Sequence, residues 1–188
     1  MCRFVGARRL LGTLGVHMAV ELTLPSPEYE LSYGTYIAEL GDEERYPFPL
    51  DFEHKDFTAM LQRLDDLASA CNIPEGFVPS STYWLVEDGE LIGVSNLRHF
   101  LNERIRKCGG HIGLSIRPSC RGKGLGNLLM RLTIEEARKR GIEEIHIHCH
   151  KHNKSSARMI VRNGGMLDSE IEDEQSEEIV QRYVVSAT

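Results

Sequence analysis

The stretch Arg117-Pro118-Ser119-Cys120-Arg121-Gly122-Lys123-Gly124-Leu125-Gly126 concentrates glycines and cations. Gly122, Gly124 and Gly126 let backbone N–H groups turn toward an anion with no Cβ in the way. The helix that starts near Gly124 directs its positive dipole end at the same point. Arg121 and Lys123 add full charges. Such a loop suits a pyrophosphate. Proton transfer near it falls to imidazole: His99, His111 and His148 lie on predicted strands close to this loop in sequence or across the sheet. An imidazole with a pKa near 6.5 is matched to taking a proton at neutral pH.

Two familiar phosphate loops are excluded. Gly122-Lys-Gly-Leu-Gly-Asn lacks the spacing Gly-x4-Gly-Lys-Ser/Thr, and the third glycine comes one residue early for G-x-G-x-x-G. The pattern Arg121-x-x-Gly124-x-Gly126, preceded by Ile116-Arg117-Pro118, resembles the acetyl-CoA signature of the GNAT superfamily of N-acetyltransferases. Residues 153–165, Asn-Lys-Ser-Ser-Ala-Arg-Met-Ile-Val-Arg-Asn-Gly-Gly, resemble that family's second motif. Leu97-Arg98-His99, Gly109-Gly110-His111-Ile112-Gly113, Arg117-Pro118-Ser119 and Asn163-Gly164-Gly165 are similar to a bacterial branch of predicted acetyltransferases.

The resemblance implies an acetyl-CoA co-substrate and transfer to a primary amine of a small molecule or peptide. It implies that the backbone of Leu114, Ser115 and Ile116 pairs with the pantetheine arm. Arg121, Gly122, Lys123, Gly124, Leu125 and Gly126 would cradle the pyrophosphate, with Asn153 and Ser156 beside it. Amides around Leu114–Ile116 would also stabilise the oxyanion, a role worth about 3–4 kcal/mol in other enzymes. His148 falls where some relatives carry a glutamate base. No acid lies on 111–117 or 145–150, so histidine is the expected base, His111 first and His99 and His148 in reserve. Many relatives place a tyrosine acid where this chain has Ile160, and Tyr183 is a distant substitute. Without that tyrosine, a CoA-binding sensor or interaction module lacking transferase activity is the alternative. Another acyl donor such as succinyl-CoA fits the sequence equally well.

The elements that must position these residues follow from periodicity. Val20–Leu24 alternates as a strand. Ser26-Pro27-Glu28 is a helix start, and Tyr29, Tyr33, Tyr36, Ile37 and Leu40 share a helical face that Gly41 ends. After Tyr46-Pro-Phe-Pro-Leu, a second helix carries Phe57, Met60, Leu61, Leu64, Leu67, Ala68 and Cys71. Asp88-Gly89 joins strands Tyr83–Glu87 and Glu90–Asn96 in a type I′ hairpin. The strand His111–Arg117 leads into the helix of Leu125, Leu128, Leu129 and Leu132, closed by Gly141. Strand Glu144–His150, the Asn153 helix and a hairpin of Met166–Ile171 and Ile179–Val185 complete the chain. The order is β-α-α-β-β-β-α-β-α-β-β. The fold class is α/β (α+β in some schemes): a mixed, twisted sheet of about seven strands, flanked by helices and splayed between the fourth and fifth strands.

Composition sets the remaining bounds. The 188 residues, 41% hydrophobic and 27% charged, suit one globular domain. A net charge of −6 argues against nucleic acid, and no apolar run is long enough for a membrane span. Five cysteines without a CxxC read as free thiols in a reducing cytoplasm. His146, His148, His150 and His152 alternate on one strand, but same-face neighbours lie roughly 6.6 Å apart, so no metal is expected. The seven acids between Asp168 and Glu178 form either a rim that attracts a cationic amine or a solvated turn. A monomer or homodimer is compatible with all of this.

Residues 1–17 are expected to be an extension outside the domain at 18–188, since they carry no periodic pattern that would pack on it. Their deletion should leave melting temperature and CoA affinity unchanged; a large drop in either would make them part of the fold.

Overall fold

A computed structural model describes residues 20–173 and 176–186; the expected extension at 1–17 lies outside them. Strands β1 (Val20–Thr23), β2 (Ser80–Glu87), β3 (Glu90–Arg98) and β4 (Ile112–Ile116) form an antiparallel sheet in that spatial order. Strands β5 (Glu144–His150), β7 (Ile179–Ser186) and β6 (Met166–Glu172) form a second one, β7 central. The splay between the fourth and fifth strands is thus wide enough to separate two sheets, and every ladder within them is antiparallel.

Helices α1 (Glu30–Leu40) and α2 (Phe57–Ala68) cover one face of the first sheet. Their apolar stripes, including Tyr33, Tyr36, Phe57, Met60 and Leu64, close over Trp84, Val86, Leu91 and Val94. Helix α4 (Leu125–Lys139) covers the opposite face, where Met130 and Ile134 meet Leu97 and Ile112 of the first sheet and Ile145, Ile147 and Tyr183 of the second. One core therefore runs across both sheets. The buried Thr133 hydroxyl is satisfied by Ser95 Oγ at 2.8 Å and by the Leu129 carbonyl at 2.8 Å. Helix α5 (Lys154–Arg162) closes the second sheet with Ile160 in the same core.

Two expectations need correction. β2 begins at Ser80, three residues before the alternating pattern. Ser80, Ser81 and Thr82 look like loop, but Asn96 Nδ2 donates to Ser80 Oγ and Thr82 Oγ1, both at 3.2 Å, so these polar residues enter the sheet with partners. The expected order also omitted α3 (Glu103–Cys108), six residues between β3 and β4. It has no apolar stripe to betray it; its start is fixed by the Asn102 side chain, which accepts from the Ile105 N–H at 2.9 Å.

The loop after β4 is tied to α1 by charge. The buried Arg117 donates from Nε to Glu39 at 2.6 Å and from a terminal nitrogen to Thr35 Oγ1 at 3.1 Å. Glu39 also accepts from the Ser119 N–H at 3.2 Å. Partial desolvation raises the Glu39 pKa, but the bonds from Ser119 and Arg117 outweigh it and hold the carboxyl below its ordinary range. Stability from this group is complete above the ordinary carboxylate pKa and is lost as pH falls through the depressed folded value. Glu39→Ala should cost about 2 kcal/mol at pH 7, because it leaves a buried cation short of its partner. The difference from the parent should shrink near pH 3. Urea denaturation at both pH values checks this; an equal loss at both would exclude the ion pair as its cause.

Candidate active site

Among the described residues, backbone bonding between the two sheets is confined to one place. An isolated bridge joins Gly110 to Ile147, and the His111 N–H donates to the His146 carbonyl at 2.6 Å. Gly110 permits this approach: at its φ of +66° a Cβ would sit 2.7 Å from the His146 carbonyl oxygen. Beyond the bridge β4 and β5 part, and β4 acquires a free edge. The bonds from the Arg98 N–H to the His111 carbonyl and from the Arg117 N–H to the Ile92 carbonyl set the phase of the β3–β4 ladder. In an antiparallel ladder alternate residues face the partner. Gly113 and Ser115 therefore bond to β3, while the amides of Ile112, Leu114 and Ile116 face the gap. Of the three residues expected along the pantetheine arm, Leu114 and Ile116 have their backbone on this edge. The Ser115 backbone faces β3 instead, although the residue still lines the cleft to which this edge leads.

The edge leads into a cleft of about 400 Å³. Leu114, Ile116, Arg121, Gly122, Gly124, Leu125 and Gly126 line one side, Asn153, Ser156 and Met159 of the α5 start the other. Gly124 is the N-cap of α4 at φ +82°, with no side chain satisfying the first amides of a 15-residue helix. Those amides and the helix dipole make an anion site. Asn153 caps α5 with its own side chain, accepting from the Ser156 N–H at 3.1 Å, so that oxygen is already used.

Arg121 lines this cleft and is also tied to two neighbouring segments. Its terminal nitrogens make two bonds to Glu43, at 3.0 and 2.6 Å, and its Nε donates to the Ile116 carbonyl at 2.9 Å. All three nitrogens are engaged, so Arg121 acts here as a clamp between α1's exit and the end of β4, not as a free cation. Lys123, between Gly122 and Gly124, is exposed, with no ion pair among the described residues, and is not among the residues lining the cleft.

The structure also sorts the histidines. His99 lies at the C-terminal end of α4, bonded to Ser81 Oγ at 2.9 Å and beside Arg140, away from the β4–β5 gap. Burial, with Arg140, lowers its pKa to about 4. His111 sits at the strand junction, 6% exposed, where its Nδ1 accepts the His146 N–H at 3.0 Å. Burial, then His146, Arg106 and Arg98, lower its pKa to about 4. With Nδ1 committed and the ring kept neutral, His111 is a structural clasp. His148 is 7% exposed, and neither ring nitrogen has a hydrogen-bond partner among the described residues. Burial, then Arg182 and its neighbours, lower its pKa to about 3. Of the three candidates, His148 alone keeps both nitrogens uncommitted.

A second cavity, of about 630 Å³, opens beside α3 and the β6–β7 turn. Glu103, Glu172 and Asp173 face it together with Arg98, Arg104 and Lys107, so three acids are offset by three bases and no acidic field dominates. Elsewhere in the acidic segment, Glu170 pairs with Lys151 and Glu178 with His150. Among the described residues no group of three His, Cys, Asp or Glu is arranged to hold a metal, and no helix is long and apolar enough to cross a membrane. Ile160, at the position of the missing tyrosine, is fully buried, and Tyr183 is turned into the core with its hydroxyl on Gln181 at 3.0 Å. Three site residues escaped sequence reasoning. Glu43 holds Arg121, Arg98 donates to the Gly110 carbonyl at 2.9 Å, and Tyr46 lies against Gly113. Nothing local marks them, because each acts on a segment far away in sequence.

An antiparallel sheet splitting from a second sheet over an anion-binding loop defines a class of acyltransferase, and comparison with known proteins agrees. Residues 37–165 match the model of the acetyltransferase (GNAT) family, and the chain belongs to that family. No curated protein matches the sequence. Among solved structures, a Salmonella typhimurium acetyltransferase that modifies the N-terminal serine of ribosomal protein L7/L12 is 18% identical, with TM-score 0.65 over 90% of this chain and 95% of that one. The ribosomal-protein-S5-alanine acetyltransferase of Vibrio fischeri is 15% identical, with TM-score 0.68 over 89% and 92%. The yncA protein of Salmonella typhimurium, solved with its cofactor acetyl-CoA, is 14% identical, with TM-score 0.61 over 89% and 93%.

The clasp has a thermodynamic signature. A histidine whose folded pKa lies below its unfolded one stabilises the fold above pH 6.5, and that stability drains as pH falls toward the folded value. For His111 the loss between pH 6.5 and 4 is on the order of 3 kcal/mol. His111→Gln keeps an acceptor for the His146 N–H but cannot titrate. Its stability should fall less steeply over this range than the parent's, as read by denaturant titration at several pH values. Parallel curves would show that His111 does not titrate with folding.

Proposed function

We propose that the protein transfers an acetyl group from acetyl-CoA to the primary amine of a small molecule or peptide. The observation that carries this reading is the continuous track from the free edge of β4 to the uncapped start of α4. The edge offers amides to an extended amide-bearing chain, and the helix start offers amides and positive potential to a pyrophosphate. In this reading Leu114 or Ile116 donates its N–H to the thioester oxygen as negative charge develops there. His148, neutral at pH 7, receives the proton shed by the attacking amine, directly or through water. The acceptor enters from the 630 Å³ cavity, where Glu103, Glu172 and Asp173 give its ammonium partners while the facing bases temper their pull. The setting is the cytoplasm, where Cys71, Cys108, Cys120 and Cys149, all free, stay reduced.

A sensor that binds CoA without turnover is the second reading, supported by the buried Ile160 and by histidines of low basicity. Release of CoA thiol over a panel of amines separates the two. Turnover of any amine supports transfer; tight CoA binding with no turnover supports the sensor. Either reading requires the anion site. Gly124→Glu places a carboxylate and a strained backbone at the helix start and should weaken CoA binding at least 100-fold by calorimetry, about 3 kcal/mol. Unchanged affinity in a folded variant would remove the pyrophosphate from this loop.

A further inference from the structure

Transfer from a thioester leaves a thiolate, and the position where a family tyrosine would protonate it holds a buried isoleucine. Another phenol lies against β4, at Gly113. Tyr46 follows α1 and precedes Phe48, which lines the larger cavity. The residue as a whole is 38% exposed, yet its hydroxyl end is enclosed. It presses on Gly113: a Cβ built there would stand 2.7 Å from Tyr46 Oη and 2.8 Å from Cζ. Gly113 lies between Ile112 and Leu114, whose amides face the gap. The charged and titratable groups around the phenol are Arg98 of β3, Glu44 of its own segment and Cys149 of β5. Groups from both sheets therefore act electrostatically on one hydroxyl, which lies against Gly113, between the two residues whose amides face the gap. Arg98 and Phe48 also line the larger cavity, so the phenol's neighbours reach that opening.

We propose that Tyr46 is the general acid of the transfer, its Oη–H delivering the proton to the departing CoA sulfur. This rests on the acetyl-transfer reading above. The amine nitrogen forms the C–N bond at the thioester carbon. As the tetrahedral intermediate collapses, the C–S bond breaks and its electron pair goes to sulfur. The Tyr46 proton joins that sulfur to give the free thiol. The phenolate left behind is held by the Arg98 guanidinium and recovers, through water, the proton that His148 took from the attacking amine. Burial raises the Tyr46 pKa, with Arg98 pulling the other way, so the phenol stays protonated until it is used. Gly113 fits the same role, since a side chain there would occupy the space of the hydroxyl.

Tyr46→Phe removes only the hydroxyl. The expected result is a fall in kcat of about 100-fold or more, the ordinary share of a general acid, with CoA affinity by calorimetry within about twofold of the parent. A fluorinated tyrosine incorporated at position 46 ionises at lower pH than tyrosine. It should keep most of the activity and move the alkaline limb of the kcat profile downward, a change that a packing role would not produce. A Tyr46→Phe variant with the parent's kcat, or a fluorinated variant with an unmoved alkaline limb, would overturn the proposal. A parent that turns over no amine would overturn the acetyl-transfer reading instead, so the two failures are distinguishable.

Discussion

Strands β4 and β5 are held side by side over a single short contact at Gly110, His111, His146 and Ile147, and the site exists because that contact stops where it does. One more turn of pairing would consume the amides of Leu114 and Ile116 and close the gap. No pairing would let the sheets drift apart on α4. His111 fixes the stopping point because it bonds His146 twice, through its backbone N–H and through its ring. The same burial that makes this clasp rigid strips the imidazole of basicity. Architecture and basicity therefore pull against each other at this one residue.

A comparable trade governs the arginines. The loop after β4 must keep its curvature with its glycines open to a ligand. It is therefore held from outside by Arg117 on Glu39 and Arg121 on Glu43. Arg117 is buried and its pair is integral to the fold. Arg121 is half exposed, so its pair is a weak, salt-sensitive contact. The positive potential at the start of α4 comes from oriented amides, which need no rearrangement to act.

The sequence disclosed whatever depends on neighbours in the chain. The Gly124 helix start, the Asn153 cap and the Asp88-Gly89 hairpin were legible because turn chemistry and capping are local. Apolar periodicity gave the strands and the long helices. It missed α3, which has no apolar face, and the first residues of β2, whose polar side chains are satisfied only by Asn96 on the next strand. The family's motif placed Arg121 at the anion, because the presence of Glu43, 78 residues away, cannot be inferred from spacing. The histidines' partners are just as invisible in the sequence: the His111 ring holds the His146 N–H, and the His148 ring has no partner among the described residues. A catalytic imidazole and a clasp have the same letter and the same strand position, and only the ring's partner tells them apart.

Buried, weakly basic histidines also move a decision from the protein to its substrate. An imidazole with a pKa near 3 or 4 draws a proton poorly from an ammonium, so in the proposed transfer turnover would follow the share of acceptor that arrives already neutral. At pH 7 that share is about a tenth for an α-amino group and about one in two thousand for a lysine side chain. With equal binding, the nitrogen at the head of a peptide would outrun the one at the tip of its lysines by two orders of magnitude. Selectivity of that kind needs no specificity pocket.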